Sequence, residues 1–356
     1  MNNVEKTAAR LAPSGLDALL LNTCADIRYC FGVSVGEGDA LALITERGAW
    51  LLTDRRYAED LASVPPETHV LSVGLGEGYL RRLNNICLAQ GIERLGFSER
   101  MPLDEYRACE EILHLRMIPA DGLLRGLRAV KTEEEIRRLA AAQALTDHVF
   151  RKVTERIAPG VTEKQLAAWL AAGLLTEGAD ALAFPPMAQS GPNGSFPHKA
   201  PTDRRLQKGD LLTLDLGCVL DGFCSDFART IALGEPAAEK RAACDAVLEA
   251  QRAGIGACRP GQRVAEADLT ARRTLEALAM PGGYDHAFGH GLGLDLDEEP
   301  LSEPYTEGVF QPGMVMCAEP GVYFPKDFGV RSEDAFVIRE TGAEFLSGIQ
   351  RELIQL

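Results

Sequence analysis

KGDLLTLDLGCVLDGFCSDFART (208–230) and PGMVMCAEPGVYFPKDFGVRSEDAFV (312–337) carry the same features in the same order: a glycine, a hydrophobic strand, then a pair of acids. In the first the acids are Asp215 and Asp226, eleven residues apart; in the second they are Glu319 and Glu333, fourteen apart. A carboxylate set in a run of Leu, Val and Ile is expensive to bury alone. One such residue is a local accident. Four, joined by His290 in HAFGHGLG (286–293), point to a shared cation. Oxygen donors with one imidazole suit Mn²⁺, Co²⁺, Fe²⁺ or Zn²⁺. Four carboxylates are too many for one divalent ion and suit two ions with bridging carboxylates. Paired ions polarise a carbonyl and generate hydroxide at neutral pH.

The parallel extends outward. IAPGVTEKQLAAWL (157–170) and CRPGQRVAEADLTA (258–271) both read as a Pro-Gly turn followed by a helix. Each leads to a Gly-rich stretch with a histidine, His198 in SGPNGSFPHK (190–199) and His290 in the second. Two helix–strand–strand copies facing each other would bring both acid pairs to one centre. Upstream, Thr132 with Glu135 three residues later forms a capping box, and Ile136, Leu139 and Ala140 begin an apolar face at helical spacing. A long helix therefore opens a second domain, with the boundary within 122–130.

The first domain alternates strands and helices, as an α/β layer would. Leu16–Leu21, Leu41–Ile44, Trp50–Thr53, His69–Val73 and Leu95–Phe97 read as strands, and Glu46-Arg47-Gly48 makes the second and third a hairpin. Tyr57–Ala62 and Leu80–Gln90 read as helical. GLGEGY (74–79) lacks a phosphate-loop pattern and reads as a plain turn.

Bulk properties narrow the partners. A formal net charge of −15 over 356 residues argues against nucleic acid and against anionic membranes. No apolar run is long enough to span a bilayer, and the first residues lack a secretory pattern. Nine cysteines without CxxC pairs read as free, mostly buried thiols in a reducing, cytoplasmic compartment. A thiolate role for Cys218, Cys224 or Cys317 beside the acids is disfavoured, because neighbouring carboxylates raise a thiol's pKa.

These residues and their flanks resemble the pita-bread metallopeptidases, which include methionine aminopeptidase, Xaa-Pro aminopeptidase and prolidase. LDALLLNTCADIRYCFGVS (16–34) and LLTDRRYAEDL (51–61) resemble the smaller N-terminal domain of the Xaa-Pro aminopeptidase, prolidase and creatinase branch. The resemblance covers essentially the whole chain. It implies an α/β (α+β) protein, with a creatinase-like domain over 1–125 and a pita-bread catalytic domain over 126–356. It implies two divalent ions, Mn²⁺ first, with Co²⁺, Fe²⁺ or Zn²⁺ as alternatives. Asp215 would be a terminal ligand of one ion, Asp226 and Glu333 bridging ligands, and His290 and Glu319 the remaining ligands of the second. Glu319 would also be the general base toward the bridging water. His198 and His286 would line the substrate and supply part of the oxyanion contact. Tyr323 would line the pocket, and Arg331 would sit just outside the ligands. The implied activity is cleavage of the bond before proline in short peptides, as an aminopeptidase or dipeptidase. The implied assembly is a homodimer, with one subunit's N-terminal domain near the other's active site.

One position departs from the family pattern. Where the family reads HExP, this chain has Asp297-Glu298-Glu299-Pro300. Asp297 replaces a catalytic histidine that donates a hydrogen bond to the developing oxyanion, and an ionised carboxylate would repel that charge. Losing one such donor typically costs on the order of 10²–10³ in rate. Two alternatives stay open: an altered-specificity hydrolase or lyase, and a weakly catalytic binding protein. Bland readings stay open too. Asp226 beside Arg229 reads singly as an ion pair, Tyr323 as a wall residue, and Arg331 either as an orienting group or as a cation for a substrate carboxylate. His69, His114 and His148 read as structural or exposed.

Overall fold

The computed structural model describes residues 1–57, 64–74, 76–280 and 284–356. The expected helix over Tyr57–Ala62 falls largely outside them, as does Leu75 of the GLGEGY turn. The chain divides into two compact units, Met1–Arg128 and Ala129–Leu356.

The first unit is built on strands β1 (Ala18–Leu21), β2 (Leu41–Thr45), β3 (Gly48–Thr53), β4 (Thr68–Ser72), β5 (Arg94–Phe97) and β6 (Arg116–Pro119). They form one sheet in the order β4-β3-β2-β1-β5-β6. Helices α1 (Asn3–Leu11), α2 (Cys24–Phe31), α3 (Tyr79–Gln90), α4 (Leu103–Ile112) and α5 (Asp121–Ala129) complete it. β2 and β3 are the expected hairpin, paired Leu43 to Trp50 and Thr45 to Gly48. β1 is buried along its whole length, as a central strand covered on both faces must be. Glu77 accepts from the amide of Gly74 and returns its own amide to Gly74 O, which makes that segment a turn.

The second unit repeats one design. In the first half, α6 (Glu133–Thr154) and α7 (Glu163–Thr176) precede β7 (Ala181–Leu182), β8 (Met187–Ser190), β9 (Leu211–Leu216), β10 (Cys218–Leu220), β11 (Phe223–Cys224) and β12 (Phe227–Ala232). In the second, α8 (Ala238–Ala257) and α9 (Ala265–Ala277) precede β13 (Gly289–Gly291), β14 (Glu298–Ser302), β15 (Val315–Ala318), β16 (Gly321–Phe324), β17 (Phe328–Arg331), β18 (Asp334–Arg339) and β19 (Gly342–Phe345). α6 starts at the predicted capping box: Glu135 N donates to Thr132 Oγ1, and Thr132 N to Glu135 Oε2. β8, β9 and β12 run antiparallel in sequence, and so do β13, β15 and β18. β20 (Ile354–Gln355) adds an edge to the first sheet. Helices pack on the sheets, and Ile136 and Leu139 of α6 also meet Val315, Ala335 and Val337 of the second half. Val149, Phe150, Leu166 and Leu170 meet Leu212, Leu214 and Phe227. Val247, Ala250, Ala267 and Ala271 meet Phe288, Met316 and Phe336.

The two half-sheets touch where Ala228 bridges Glu333. Glu333 N donates to Ala228 O at 2.9 Å, and Arg229 Nη1 donates to Glu333 O at 2.6 Å. This seam lies between the segments that carry Asp226 and Glu333. Close approach also needs glycine: a Cβ on Gly289 would lie 1.8 Å from Cys317 O. Among the described residues no helix is long and apolar enough to cross a membrane. All nine cysteines are free, and all but Cys24 are buried.

Candidate metal centre

One acid lies on a strand and the other three flank strand ends. Asp215 is on β9, paired across to Ala228 of β12 and Met187 of β8. Asp226 ends the short turn before β12, and Glu333 ends the turn before β18. Glu319 follows β15 and donates its amide to Phe288 O at 2.8 Å. His290 is the middle residue of β13. Asp215, Asp226, His290 and Glu333 are buried, and the donor set contains far more negative than positive charge.

The imidazole of His290 orders the cluster. Its Nε2 lies 3.6 Å from Asp226 Oδ2 and 3.9 Å from Glu319 Oε1. Its Nδ1 lies 3.0 Å from Gly291 O and 3.3 Å from Asp297 Oδ1. A carbonyl only accepts, so Nδ1 carries the proton and Nε2 keeps its lone pair toward the acids. Asp226, His290, Glu333 and Cys317 each offer a donor atom, and these atoms all lie within 4.8 Å of one another. Cys317 joins the group because β15 runs under the site two residues before Glu319.

The residues fit divalent cations on two counts. Asp215 Oδ1 and Glu333 Oε1 are buried without a hydrogen-bond partner among the described residues, a costly state unless a cation meets them. Burial, with the other acids adding, also pushes the carboxyls of Asp226 and Glu333 well above the usual range. Burial raises Asp215 as well, against the pull of Arg331, and raises Glu319 to about 7. Four carboxylates crowded this closely hold protons unless positive charge replaces them. Burial and the same acids push the Cys317 thiol up too, which supports the neutral reading of that residue.

A chain of side chains leads away from the acids. Arg331 Nη2 donates to Asp215 Oδ2, and its Nη1 donates to Pro197 O at 3.1 Å. The Tyr323 hydroxyl lies 3.1 Å from His286 Nε2. His286 Nδ1 lies 2.9 Å from Ala287 O. That carbonyl fixes the proton on Nδ1, so Nε2 accepts from Tyr323. Burial lowers the His286 pKa to about 4, leaving the ring neutral.

Arg331 is buried and bound to Asp215 and Pro197 O. His286 Nε2 faces the Tyr323 hydroxyl. His198 is exposed, and near enough for its charge to act on Asp215 and His286. Asp297 is exposed and faces His290 Nδ1. His69 stacks on Trp50 with ring centroids 5.3 Å apart, and His148 lies 3.3 Å from Glu177.

One positioning residue escaped the sequence reading. Glu163 is fully buried and accepts from Ser190 N and Oγ, Asn193 Nδ2, and Thr202 N and Oγ1. It ties down the loop that carries His198. That loop passes so close to β17 that a Cβ on Gly329 would lie 1.9 Å from Gly194 O. The available signal was an acid directly after the Thr162 helix cap, beside a second stretch rich in Ser, Asn and Thr.

Residues 137–340 match metallopeptidase family M24, and residues 4–130 match the creatinase/prolidase N-terminal domain. The chain belongs to metallopeptidase family M24: it is a metallopeptidase with a creatinase-type N-terminal domain and a pita-bread C-terminal domain. It is 32% identical over 355 residues to an uncharacterised peptidase of Bacillus subtilis, covering 99% of both chains. The Xaa-Pro dipeptidase of Bacillus anthracis superposes with a TM-score of 0.94 at 30% identity, over 99% of both chains. The X-Pro aminopeptidase of Thermotoga maritima superposes at 0.89 with 27% identity, over 99% of this chain and 100% of that one.

Proposed function

We propose that this protein hydrolyses the peptide bond before proline in short peptides, using two divalent ions. Asp215, Asp226, His290, Glu319 and Glu333 would hold them. What carries the reading is the cluster of Asp226, His290 and Glu333, whose donor atoms lie within 4.8 Å of one another, with Glu319 Oε1 3.9 Å from His290 Nε2. Full-length similarity to Xaa-Pro dipeptidases and an X-Pro aminopeptidase supports the substrate class. The ions, when bound, supply Lewis acidity toward the scissile carbonyl and an acidified water at neutral pH.

The chain's own residues do the rest. Glu319 takes a proton from the attacking water and returns it to the leaving proline nitrogen. Arg331 holds Asp215 in place, and the Tyr323 hydroxyl orients the ring of His286. His198 is the remaining imidazole free to donate to the substrate carbonyl. Manganese is the first choice of metal, though this donor set accepts Co²⁺, Fe²⁺ or Zn²⁺ as well. A reducing compartment is supported by nine free thiols, and the reading includes a cytoplasmic homodimer.

The test is turnover on Xaa-Pro dipeptides, Xaa-Pro-Xaa tripeptides and Met-Ala peptides. Cleavage confined to Xaa-Pro bonds supports the reading and reports the preferred length. Cleavage of Met-Ala alone contradicts it. Metal binding without any cleavage favours an altered substrate, the alternative that Asp297 keeps open.

A further inference from the structure

We propose that Asp297 is a positioning residue for the metal centre, acting through His290 on the second ion; this rests on the reading of His290 as a ligand. The family pattern puts a histidine here, whose work is on the substrate. In this chain the side chain does something different in space. The two nitrogens of His290 face opposite partners: Nε2 meets Asp226 and Glu319, and Nδ1 meets Gly291 O and Asp297 Oδ1 at 3.3 Å.

The carbonyl of Gly291 is the nearer acceptor at 3.0 Å and sets the tautomer. Asp297, just beyond the ordinary hydrogen-bond span, contributes mainly its charge. A negative charge behind the Nδ1–H draws that proton outward and makes Nε2 a better electron donor, the familiar carboxylate–histidine–metal arrangement. Asp297 therefore exchanges an oxyanion donor for tighter hold on a cation. Its side chain is 75% exposed, so substitution there leaves the core packing alone.

Cobalt binding to the metal-stripped protein, followed by calorimetry and by the visible d–d spectrum, tests this. Asp297→Asn removes the charge and keeps the shape. Its affinity for the weaker-held Co²⁺ should fall about 10- to 100-fold, with a shifted d–d band. Asp297→Glu, which keeps the charge on an exposed loop, should stay within about 3-fold of the parent. Unchanged affinity and spectrum in Asp297→Asn would overturn the proposal while leaving the metal centre intact. Loss of one whole ion in Asp297→Asn, matching that in His290→Ala, would also overturn it, because Asp297 would then be a ligand itself. A parent that binds no cobalt would sink both this inference and the proposed function.

Discussion

Arg331 donates from Nη2 to Oδ2 of Asp215, and both side chains are buried, at 3% and 6% exposure. The pair joins β17 of the second half to β9 of the first, so the two copies and the acid cluster share one support. Removing a single partner of a buried pair leaves an uncompensated charge. Arg331→Met should therefore destabilise the metal-free protein by about 3–5 kcal/mol, read from urea unfolding. Arg331→Lys should fall between, keeping the charge but losing the fork that also reaches Pro197 O. A parent-like midpoint for Arg331→Met would contradict the role given to this pair.

The acids make stability depend on pH in a direction that can be worked out. Burial raises Glu319 from the ordinary 4.5 to about 7 in the folded protein, with Asp215 and Asp297 adding and His290 and Arg331 opposing. The folded state then binds a proton that the unfolded chain releases. Stability from this group is fully present below 4.5 and is lost as pH rises through about 7. Between about pH 5 and about pH 8, the metal-free parent should lose more stability than Glu319→Gln. Divalent ions should reverse the trend in the parent, because they displace these protons and bind more tightly as pH rises. Equal pH slopes for parent and Glu319→Gln would show that the carboxyl is not held protonated.

The Tyr323 hydroxyl lies 3.1 Å from His286 Nε2. Tyr323→Phe keeps the ring and removes the donor to His286 Nε2. With metal occupancy unchanged, kcat/KM on Xaa-Pro peptides should fall about 10-fold, the worth of one hydrogen bond. Steady-state kinetics at matched metal content decide it, and an unaltered kcat/KM would make Tyr323 a passive wall.

Asp297→His restores the imidazole that the family uses against the developing oxyanion. At saturating metal, Xaa-Pro turnover should rise by on the order of 10²-fold. An equal or lower rate with unchanged occupancy would refute the idea that Asp297 limits the chemistry.

The candidate centre was legible because carboxylates in apolar stretches need a reason, and four of them, two in each copy of one pattern, stand with His290. The duplicated helices were legible from Pro-Gly turns and the Thr132–Glu135 cap. What sequence spacing did not carry was direction. Nothing in the spacing says which nitrogen of His290 faces Asp226 and which faces Asp297. The carbonyls of Gly291 and Ala287, which fix the two imidazole tautomers, are backbone groups that no residue type announces. Arg331 was legible as a neighbour of Glu333, yet its partner Asp215 lies 116 residues away. The α1 capping box of Asn2 and Glu5 is a local signal that was passed over.

The central claim is a two-ion peptidase, and add-back of metal to the stripped protein tests it most directly. Metal content per chain and Xaa-Pro cleavage would be measured in the same samples as Mn²⁺, Co²⁺, Fe²⁺ or Zn²⁺ is titrated. The account predicts no cleavage in the stripped protein, and cleavage that returns as occupancy approaches two ions per chain. Full Xaa-Pro cleavage by the stripped protein, or saturation at one ion with Asp215→Asn indistinguishable from the parent, would contradict it.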